Sequence, residues 1–526
     1  MYNSRMSNEM ADVVIVGAGP TGLMLAIEIV LGGAKVVVLD RLAKPDETIK
    51  AGAIGVLGAE ALDRRGMGPA IEAEERVMTD AMAAMMKSSG ITADPPAWQK
   101  IGGHFAGLFL IDQTRQREPE RRLRGVRQQA LEKMLGERAL EMGIVVKRGW
   151  EVTDFSEDHE GIMVSGRNSS GAFQLHCAFL VGCDGGRSMI RKRAGFDFPG
   201  TDPTLTGHQA IVELDHPERL LPLGWRRTSK GMLAYGPGRG RVFTVEFDGP
   251  PADRDTPITI EQVQCSLRYV SGADVTVTAM QSATRFTDNA RQVPVYRKGR
   301  VLLAGDAAHV HSPFGGQGLN LGLLDAVNLG WKLAAVVRGI LPVELLDTYT
   351  AERHPVAARV LANTRAQVAL MRPDVLTTEL REVVTGLMKT DDGNRFFGEM
   401  MSGITTRYEL GDEHPLVGRL CGNLTLSTNG NETKLFTLMQ QGNGLLIDAT
   451  NGAASRIAEG WASRVRCVRV LDGTTMLLRP DACIAWVGDG KTHDGLETAL
   501  ERWFGEKKCQ PSNAVLTACD GGHTCG

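Results

Sequence analysis

The stretch from Asp12 to Asp40 leaves this chain few folds to choose from. A β-branched apolar run, Val13 to Val16, enters Gly17-Ala18-Gly19-Pro20-Thr21-Gly22, an apolar helical pattern continues to Leu31, Gly32-Gly33 breaks it, and a second run from Val36 to Leu39 ends on Asp40. Strand, glycine turn, helix and strand in that order make a βαβ unit, the start of a parallel sheet covered by helices. The glycines let the turn close and let backbone approach a pyrophosphate, and the helix N-terminus adds unpaired N–H groups and partial positive charge. Asp40 follows Gly17 by 23 residues, where a carboxylate can take a ribose hydroxyl. The glycine pattern alone is weak, but with both strands, the helix and the acid in register it predicts a dinucleotide site, for FAD or NAD alike.

Overall charge argues against other partner classes. The chain has 526 residues with 59 basic against 62 acidic side chains and a net charge of −3, which provides no footprint for nucleic acid or an anionic membrane. The apolar stretch Val13 to Ile27 is interrupted by three glycines and Pro20, too broken to span a bilayer, and Glu9 and Asp12 stand where a signal peptide needs positive charge. A cytoplasmic protein is therefore expected. Nine cysteines, odd in number and without CxxC spacing, indicate neither a disulfide scaffold nor a zinc site.

Periodicity organises the rest into roughly three domains. Ala130, Leu131, Met134, Leu135, Ala139 and Leu140 predict a helix from Arg127 to Met142, followed by a strand at Ile144 to Val146. Between about 200 and 290 the pattern alternates, as in Met232 to Tyr235, Arg241 to Phe247 and Val275 to Met280, which predicts an inserted antiparallel sheet. Trp225, Phe243 and Phe247 are expected to cover a large apolar pocket there. A buried strand at Val301 to Ala304 and a long helix from Gly318 to Arg338 resume the first domain. Beyond 400, strands at Leu445 to Ile447, Val468 to Leu471 and Ile484 to Val487, with helices at Ala454 to Arg464 and Leu496 to Phe504, predict a small α/β domain. The expected division is 1–185 and 291–400 for the nucleotide domain, 186–290 with part of 70–120 for the substrate domain, 401–507 for the third, and a loose tail at 508–526.

Two later motifs narrow the cofactor. Leu180 to Arg191 places Asp184-Gly185 at a strand end, and Arg300 to His309 ends a buried strand on Gly305-Asp306, where a carboxylate can accept from a ribitol chain. The ordered set of GxGxxG, Asp-Gly and Gly-Asp resembles the single-component FAD-dependent aromatic hydroxylases, the group that includes para-hydroxybenzoate hydroxylase. Gly103 to Gly107, Val181 to Ser188, Ala194 to Thr201, Ser312 to Gly318 and Leu500 to Gly505 look most like its aromatic polyketide branch, the angucycline and anthracycline hydroxylases.

The resemblance implies an α/β protein: a Rossmann-like FAD-binding domain, the inserted antiparallel substrate sheet, and a C-terminal thioredoxin-like domain that lacks a redox pair and is structural or supports a homodimer. It implies that Gly17, Gly19, Pro20, Thr21, Gly22, Asp40 and Arg41 hold the FAD nucleotide and Asp306, with Gly305, the ribityl chain. It links Asp184 and Gly185 to FAD and NAD(P)H. By the same resemblance Gln128 contacts FAD, Lys50 stands where relatives carry an arginine touching flavin and nicotinamide, and Leu57 stands where a basic residue is common. Gly318, Leu319 and Asn320 face the pyrimidine edge of the flavin, and Pro313, Gly315 and Gly316 form the loop on its reacting face.

The implied activity is NAD(P)H-consuming hydroxylation of a polycyclic aromatic polyketide by molecular oxygen through a flavin hydroperoxide, with NADPH favoured over NADH, in antibiotic biosynthesis. Baeyer–Villiger insertion or antibiotic inactivation would use the same motifs, and a non-catalytic flavin scaffold is the reading from another class. No acid, base or metal is assigned. His309 and His311 are expected in a loop or lining the substrate site, His104 lining the pocket, and Cys519, His523 and Cys525 in the tail.

Overall fold

The computed structural model describes residues 10–88, 100–236, 240–252, 256–428, 431–488 and 493–507. The tail and its Cys519, His523 and Cys525 lie outside the described residues.

The βαβ unit forms as read: β1 (Met10–Val16), α1 (Pro20–Leu31) and β2 (Val36–Asp40), with Val13 opposite Val36 and Val16 opposite Leu39 in parallel register. Val13, Val14 and Ile15 are fully buried, as expected of a strand covered on both faces. Helix α2 (Gln128–Glu141) leads to β3 (Val145–Arg148), parallel to β2. A meander follows: β4 (Glu151–Glu157), β5 (Ile162–Asn168) and β6 (Gly171–Gly182). The long β6 pairs with β5 at its start and with β1 at its end, which brings the Cys183-Asp184 turn against the glycine turn.

The substrate sheet is antiparallel throughout, built from β7 (Thr206–Asp215), β8 (Gly224–Arg227), β9 (Gly231–Tyr235), β10 (Arg241–Glu246) and β11 (Thr276–Phe286) in the order β8-β9-β10-β7-β11. Trp225, Ala234, Phe243, Gln209 and Thr284 are direct cross-strand partners in turn, so they share one face. The other face carries Ala210, Leu233 and Val242, packed on Val263, Leu267 and Val270 of α3 (Ile260–Ser271). This helix departs from the purely antiparallel reading of 200–290, yet its signal was present. Thr259 Oγ1 accepts from Gln262 N at 3.3 Å while Gln262 Oε1 accepts from Thr259 N at 3.2 Å, a capping box ahead of apolar residues spaced by four and three.

The chain returns through β12 (Arg297–Lys298) and β13 (Val301–Leu303), which completes the order β12-β13-β6-β1-β2-β3. Helix α4 (Gly318–Val337) crosses α1 at close range, since a Cβ on Gly330 would lie 2.3 Å from Glu28 Cβ and one on Gly32 2.3 Å from Ala334 Cβ. Helices α5 (Asp347–Met371), α6 (Val375–Lys389) and α7 (Asp391–Ser402) follow.

The third region centres on β14 (Gly444–Asp448), parallel to β15 (Val465–Arg469) and antiparallel to β16 (Met476–Leu478), which pairs with β17 (Ile484–Val487). Helix α8 (Leu496–Phe504) buries Leu500 and Trp503 against this sheet. Three local expectations shift here. The strand near 468 starts at Val465 and ends before the exposed Leu471; the helix expected to Arg464 is a short turn, Ala453–Ile457, continued as a 3-10 turn to Trp461; and β16 was not anticipated.

Buried ions key this region to the rest. Arg479 Nη1 and Nη2 donate to Glu352 Oε1 and Oε2 of α5, both at 2.8 Å, and Nη2 donates to Asp481 at 2.6 Å. Lys332 of α4 reaches the same Glu352 at 2.9 Å. A second buried arginine, Arg65, is paired with Glu28 at 2.8 Å and donates to the carbonyls of Met439 and Pro480. Among the described residues no helix is long and apolar enough to cross a membrane.

Candidate active site

A single cavity of about 1120 Å³ runs from the glycine turn to the substrate sheet. Pockets that bury one drug-sized ligand span roughly 300–1,000 Å³, so this one has room for more than one molecule.

At the nucleotide end the glycines are dictated by close approach. Gly17 has φ +110°, and a Cβ there would fall 2.2 Å from the Cys183 carbonyl oxygen; one on Gly22 would fall 1.9 Å from the Gly17 oxygen. Above Gly19 nothing lies within 4 Å. Helix α1 starts on Gly19 with Pro20 in its first turn and no side-chain cap, so its free N–H groups are left for a ligand. Gly19, Pro20 and Thr21 line the cavity, while Gly17 and Gly22 lie behind them. Asp40 is turned to the loop: its carboxylate accepts from Ala18 N at 2.7 Å and Leu42 N at 2.8 Å, and neither it nor the exposed Arg41 belongs to the cavity wall.

Asp306 lies in the cavity wall, just after Gly305, whose φ of +62° and closeness to Thr21 Oγ1, 2.8 Å from a would-be Cβ, call for glycine. Asp184 is placed differently. Its Oδ2 accepts from Met189 N at 2.7 Å and Ile190 N at 3.2 Å, and its buried Oδ1 has no partner among the described residues. The wall at this point is Cys183, Gly185, Gly186 and Arg187.

The middle of the cavity is the loop from His311 to Asn320. Gly315 and Gly316 adopt φ of +81° and +63°, and α4 starts on Gln317, again without a side-chain cap. The backbone of Pro313, Gly315, Gly316, Gly318, Leu319 and Asn320 thus lines the cavity at a second bare helix N-terminus. The Asn320 side chain is already engaged, accepting from Gly55 N at 2.7 Å and donating to Gly316 O at 3.1 Å, so it staples the 50–55 loop to α4. Lys50 lines the wall while paired to Asp46 at 2.9 Å. Gln128 donates to Glu132 at 2.9 Å, and burial raises the Glu132 carboxyl above the usual range.

The two histidines separate. His309 is fully buried in a short strand, His309–Val310, with Nε2 2.6 Å from Asp325 Oδ2, so it neither sits in a loop nor lines the site. Burial by itself would raise Asp325, but Arg353 at 2.8 Å and His309 outweigh it and hold the carboxylate charged beneath the Gly305-Asp306 turn. His311 lines the cavity, with Nδ1 2.7 Å from Ser312 O and Nε2 buried without a partner among the described residues; burial lowers its pKa.

The far end is aromatic. Trp225 and Phe243 lie 4.6 Å apart by ring centroid, and Phe243 and Phe286 5.0 Å, with Phe314 closing the group edge-on. Phe247 is not in the wall; Arg372 covers its ring at 5.4 Å. The His104 ring lies 4.8 Å from that of Phe109, tilted by 44°, and its Nδ1 accepts from Gly107 N at 3.2 Å, which places the proton on Nε2. Burial lowers it to about 4, so His104 is a neutral donor at neutral pH. Among the polar wall residues that escaped the sequence reading are Gln209 and Arg241, on the substrate sheet. Their signal is a polar side chain at an inward position of an alternating strand.

The donor set fits FAD. Bare N–H groups at one end suit a pyrophosphate, Asp306 between the two helix starts suits a polyhydroxylated chain, and the α4 N-terminus suits the electron-rich edge of a flavin ring. Comparison with known proteins agrees. Residues 10–364 match the FAD binding domain family, and residues 414–507 match the aromatic-ring hydroxylase C-terminal family. The chain is 40% identical over 519 residues to 12-dehydrotetracycline 5-monooxygenase/anhydrotetracycline 6-monooxygenase of Streptomyces rimosus subsp. rimosus, covering 94% of this chain and 99% of that protein. It is 38% identical over 506 residues to rifampicin monooxygenase of Rhodococcus hoagii, covering 94% and 98%. Among solved structures, an aromatic hydroxylase from angucycline biosynthesis superposes with a TM-score of 0.84 at 34% identity over 95% of this chain and 100% of that one. With matching families over both the nucleotide-binding and C-terminal regions, and relatives aligned nearly end to end, this chain belongs to the FAD-dependent aromatic-ring hydroxylases, a family of monooxygenases.

Proposed function

We propose that this monooxygenase uses NADPH and molecular oxygen to hydroxylate a polycyclic aromatic polyketide in antibiotic biosynthesis. The observation that carries the reading is the continuity of one cavity from two uncapped helix N-termini to a wall of packed aromatic rings. That wall offers flat apolar surface suited to a multi-ring substrate rather than to a small polar one.

In this reading the α1 N-terminus and Gly19 bind the pyrophosphate, Asp306 accepts from the ribityl hydroxyls, and the backbone N–H groups of Gly318, Leu319 and Asn320 face the pyrimidine edge. When bound, FAD supplies hydride acceptance from NADPH and activation of oxygen. The chain itself orients and dries the site. Phe243, Phe286 and Phe314 exclude water, Pro313 and the Gly315-Gly316 backbone shape the approach of the substrate ring, and neutral His104 offers an Nε2–H donor without adding charge. The third region is read as a thioredoxin-like support, consistent with its β15-β14-β16-β17 sheet, and the division at 185, 290, 400 and 507 belongs to the same reading.

Purified protein should be yellow, and NADPH oxidation should rise when polycyclic phenols are added, with one atom from labelled oxygen gas entering the product. A yellow protein whose NADPH oxidation no aromatic compound stimulates would sink the proposal. Similarity to a rifampicin monooxygenase favours a second reading, inactivation of an antibiotic. NMR of the product separates ring hydroxylation from oxygen insertion into a carbon–carbon bond, which mass alone does not. A homodimer is checked by sedimentation.

A further inference from the structure

Arg241 opens β10 with its side chain on the cavity face, one inward position from Phe243. The Gln209 amide, its oxygen turned to the guanidinium, accepts from Nε at 3.3 Å and Nη2 at 2.5 Å. Nη1 is turned toward the 50–55 loop, 3.3 Å from where a Cβ on Gly52 would stand. Arg121, which also lines the cavity, is paired with Glu60 at 2.7 Å and Glu118 at 3.2 Å. Arg241 differs: among the described residues its side-chain partner is the Gln209 amide, and no acid offsets its burial. Burial alone pulls it below the ordinary arginine value, with no acid opposing. A guanidinium stays protonated in proteins regardless, so the cavity holds a positive charge that only a neutral amide answers.

A charge removed from water beside aromatic rings is stabilised by an opposite charge brought by a ligand. The ligand oxygen has two sources, the aromatic substrate or a phosphate of NADPH. Position favours the substrate, because Arg241 stands on the substrate sheet one inward position from Phe243, whose ring meets Trp225 and Phe286.

We propose that Arg241, oriented by Gln209, is the subsite that binds a deprotonated phenol or enol oxygen of the aromatic substrate. This rests on the reading that a polycyclic phenol occupies the cavity. The phenol releases its proton to bulk water, and no carbon bond changes in that step. The guanidinium takes the oxyanion through paired N–H donors, and the ionised oxygen raises electron density on the ring that is to accept oxygen. Arg241 is thereby a specificity-determining residue: it selects rings bearing an acidic hydroxyl.

The test uses FAD-loaded enzyme and alizarin, a hydroxyanthraquinone that changes from yellow to red-violet on ionisation, with unsubstituted anthraquinone as control. Bound alizarin should ionise at least about one pH unit lower on the wild type than on Arg241→Gln. Its Kd should rise about tenfold in that variant, while the anthraquinone Kd and the KM for NADPH stay unchanged. Arg241→Lys should recover part of the shift, and Gln209→Leu should show a smaller loss in the same direction, which also serves if Arg241→Gln does not retain FAD. Equal ionisation of alizarin on both proteins overturns the subsite and leaves the polycyclic reading standing. A change confined to the KM for NADPH also overturns it, moving the oxyanion to the dinucleotide. Failure of the wild type to bind alizarin or any other polycyclic phenol overturns subsite and reading together.

Discussion

Replacing Arg479 by methionine keeps an unbranched chain of similar reach and removes the charge with its four hydrogen bonds, two to Glu352 and two to Asp481. In the wild type two cations, Arg479 and Lys332, face two anions, Glu352 and Asp481, and none of the four is more than 3% exposed. Without Arg479, Glu352 keeps Lys332 and Asn328, but Asp481 is left buried with backbone and amide contacts only. Removing one partner of a buried ion set costs about 3–5 kcal/mol. The size of the thermal shift depends on what melts. Unfolding entropy of about 2.1 cal/mol/K per residue makes that loss about 3–5 °C if the whole chain unfolds as one unit, and about 15–25 °C if a C-terminal region of about 100 residues unfolds alone. Calorimetry of the FAD-loaded enzyme, with flavin fluorescence reporting the nucleotide end, separates the two. Arg479→Met/Asp481→Asn restores neutrality around the intact Lys332–Glu352 pair, so the double variant should melt above the single one. A single variant melting within about 1 °C of wild type, or a double variant lower still, would refute the charge-balance reasoning.

Gly17→Ala should yield protein without bound flavin, because the added carbon would stand 2.2 Å from a backbone oxygen at a φ of +110°; full flavin loading, read from the visible spectrum, would contradict the close-approach reading. Asp306→Ala should fold but bind FAD about 10–100-fold more weakly by fluorescence titration, the equivalent of losing one charged hydrogen bond of about 1.5–3 kcal/mol. Burial would raise the Glu352 carboxyl, but Arg479 and Lys332 outweigh it and hold it below its ordinary 4.5. Its contribution to stability is therefore present above that value and lost as pH falls toward the depressed one. Acid titration of the melting temperature should be shallower in Glu352→Gln, and parallel curves would deny Glu352 the role.

Much of the fold could be read from residues because its strands are of the kind that announce themselves. Val13 to Val16 and Val36 to Leu39 are continuous apolar runs because both faces are covered, and the glycines between them are required by contacts that a Cβ would occupy. Helix α3 was hidden for the opposite reason: its surroundings alternate, and its apolar residues, Val263, Leu267 and Val270, form a narrow stripe in a mostly polar segment. Of the cavity wall, Gly19, Gly315, Gly316, Gly318 and Leu319 could be picked out in the sequence, since helix starts follow from local pattern. Side-chain roles were less so. Asp40 and Asp184 are spoken for by backbone N–H groups, Asn320 by Gly55 and Gly316, and His309 by Asp325, all partners fixed only by tertiary packing.

The buried ions and the cavity arginine make one contrast that explains how this fold spends charge. Arg65, Arg353 and Arg479 are each matched by a carboxylate within 2.8 Å, so each serves to lock helices and sheets in a single arrangement. Arg241 lies on the cavity face with an amide in place of an acid. Half-buried and answered by the neutral Gln209 amide, Arg241 keeps positive potential where an aromatic oxyanion would lie. That potential would be cancelled by the isosteric exchange Gln209→Glu. The exchange should therefore tighten Arg241 in place, leave flavin binding intact, and weaken alizarin more than Gln209→Leu does; stronger alizarin binding in Gln209→Glu would show that the pair is structural and that the oxyanion is held elsewhere.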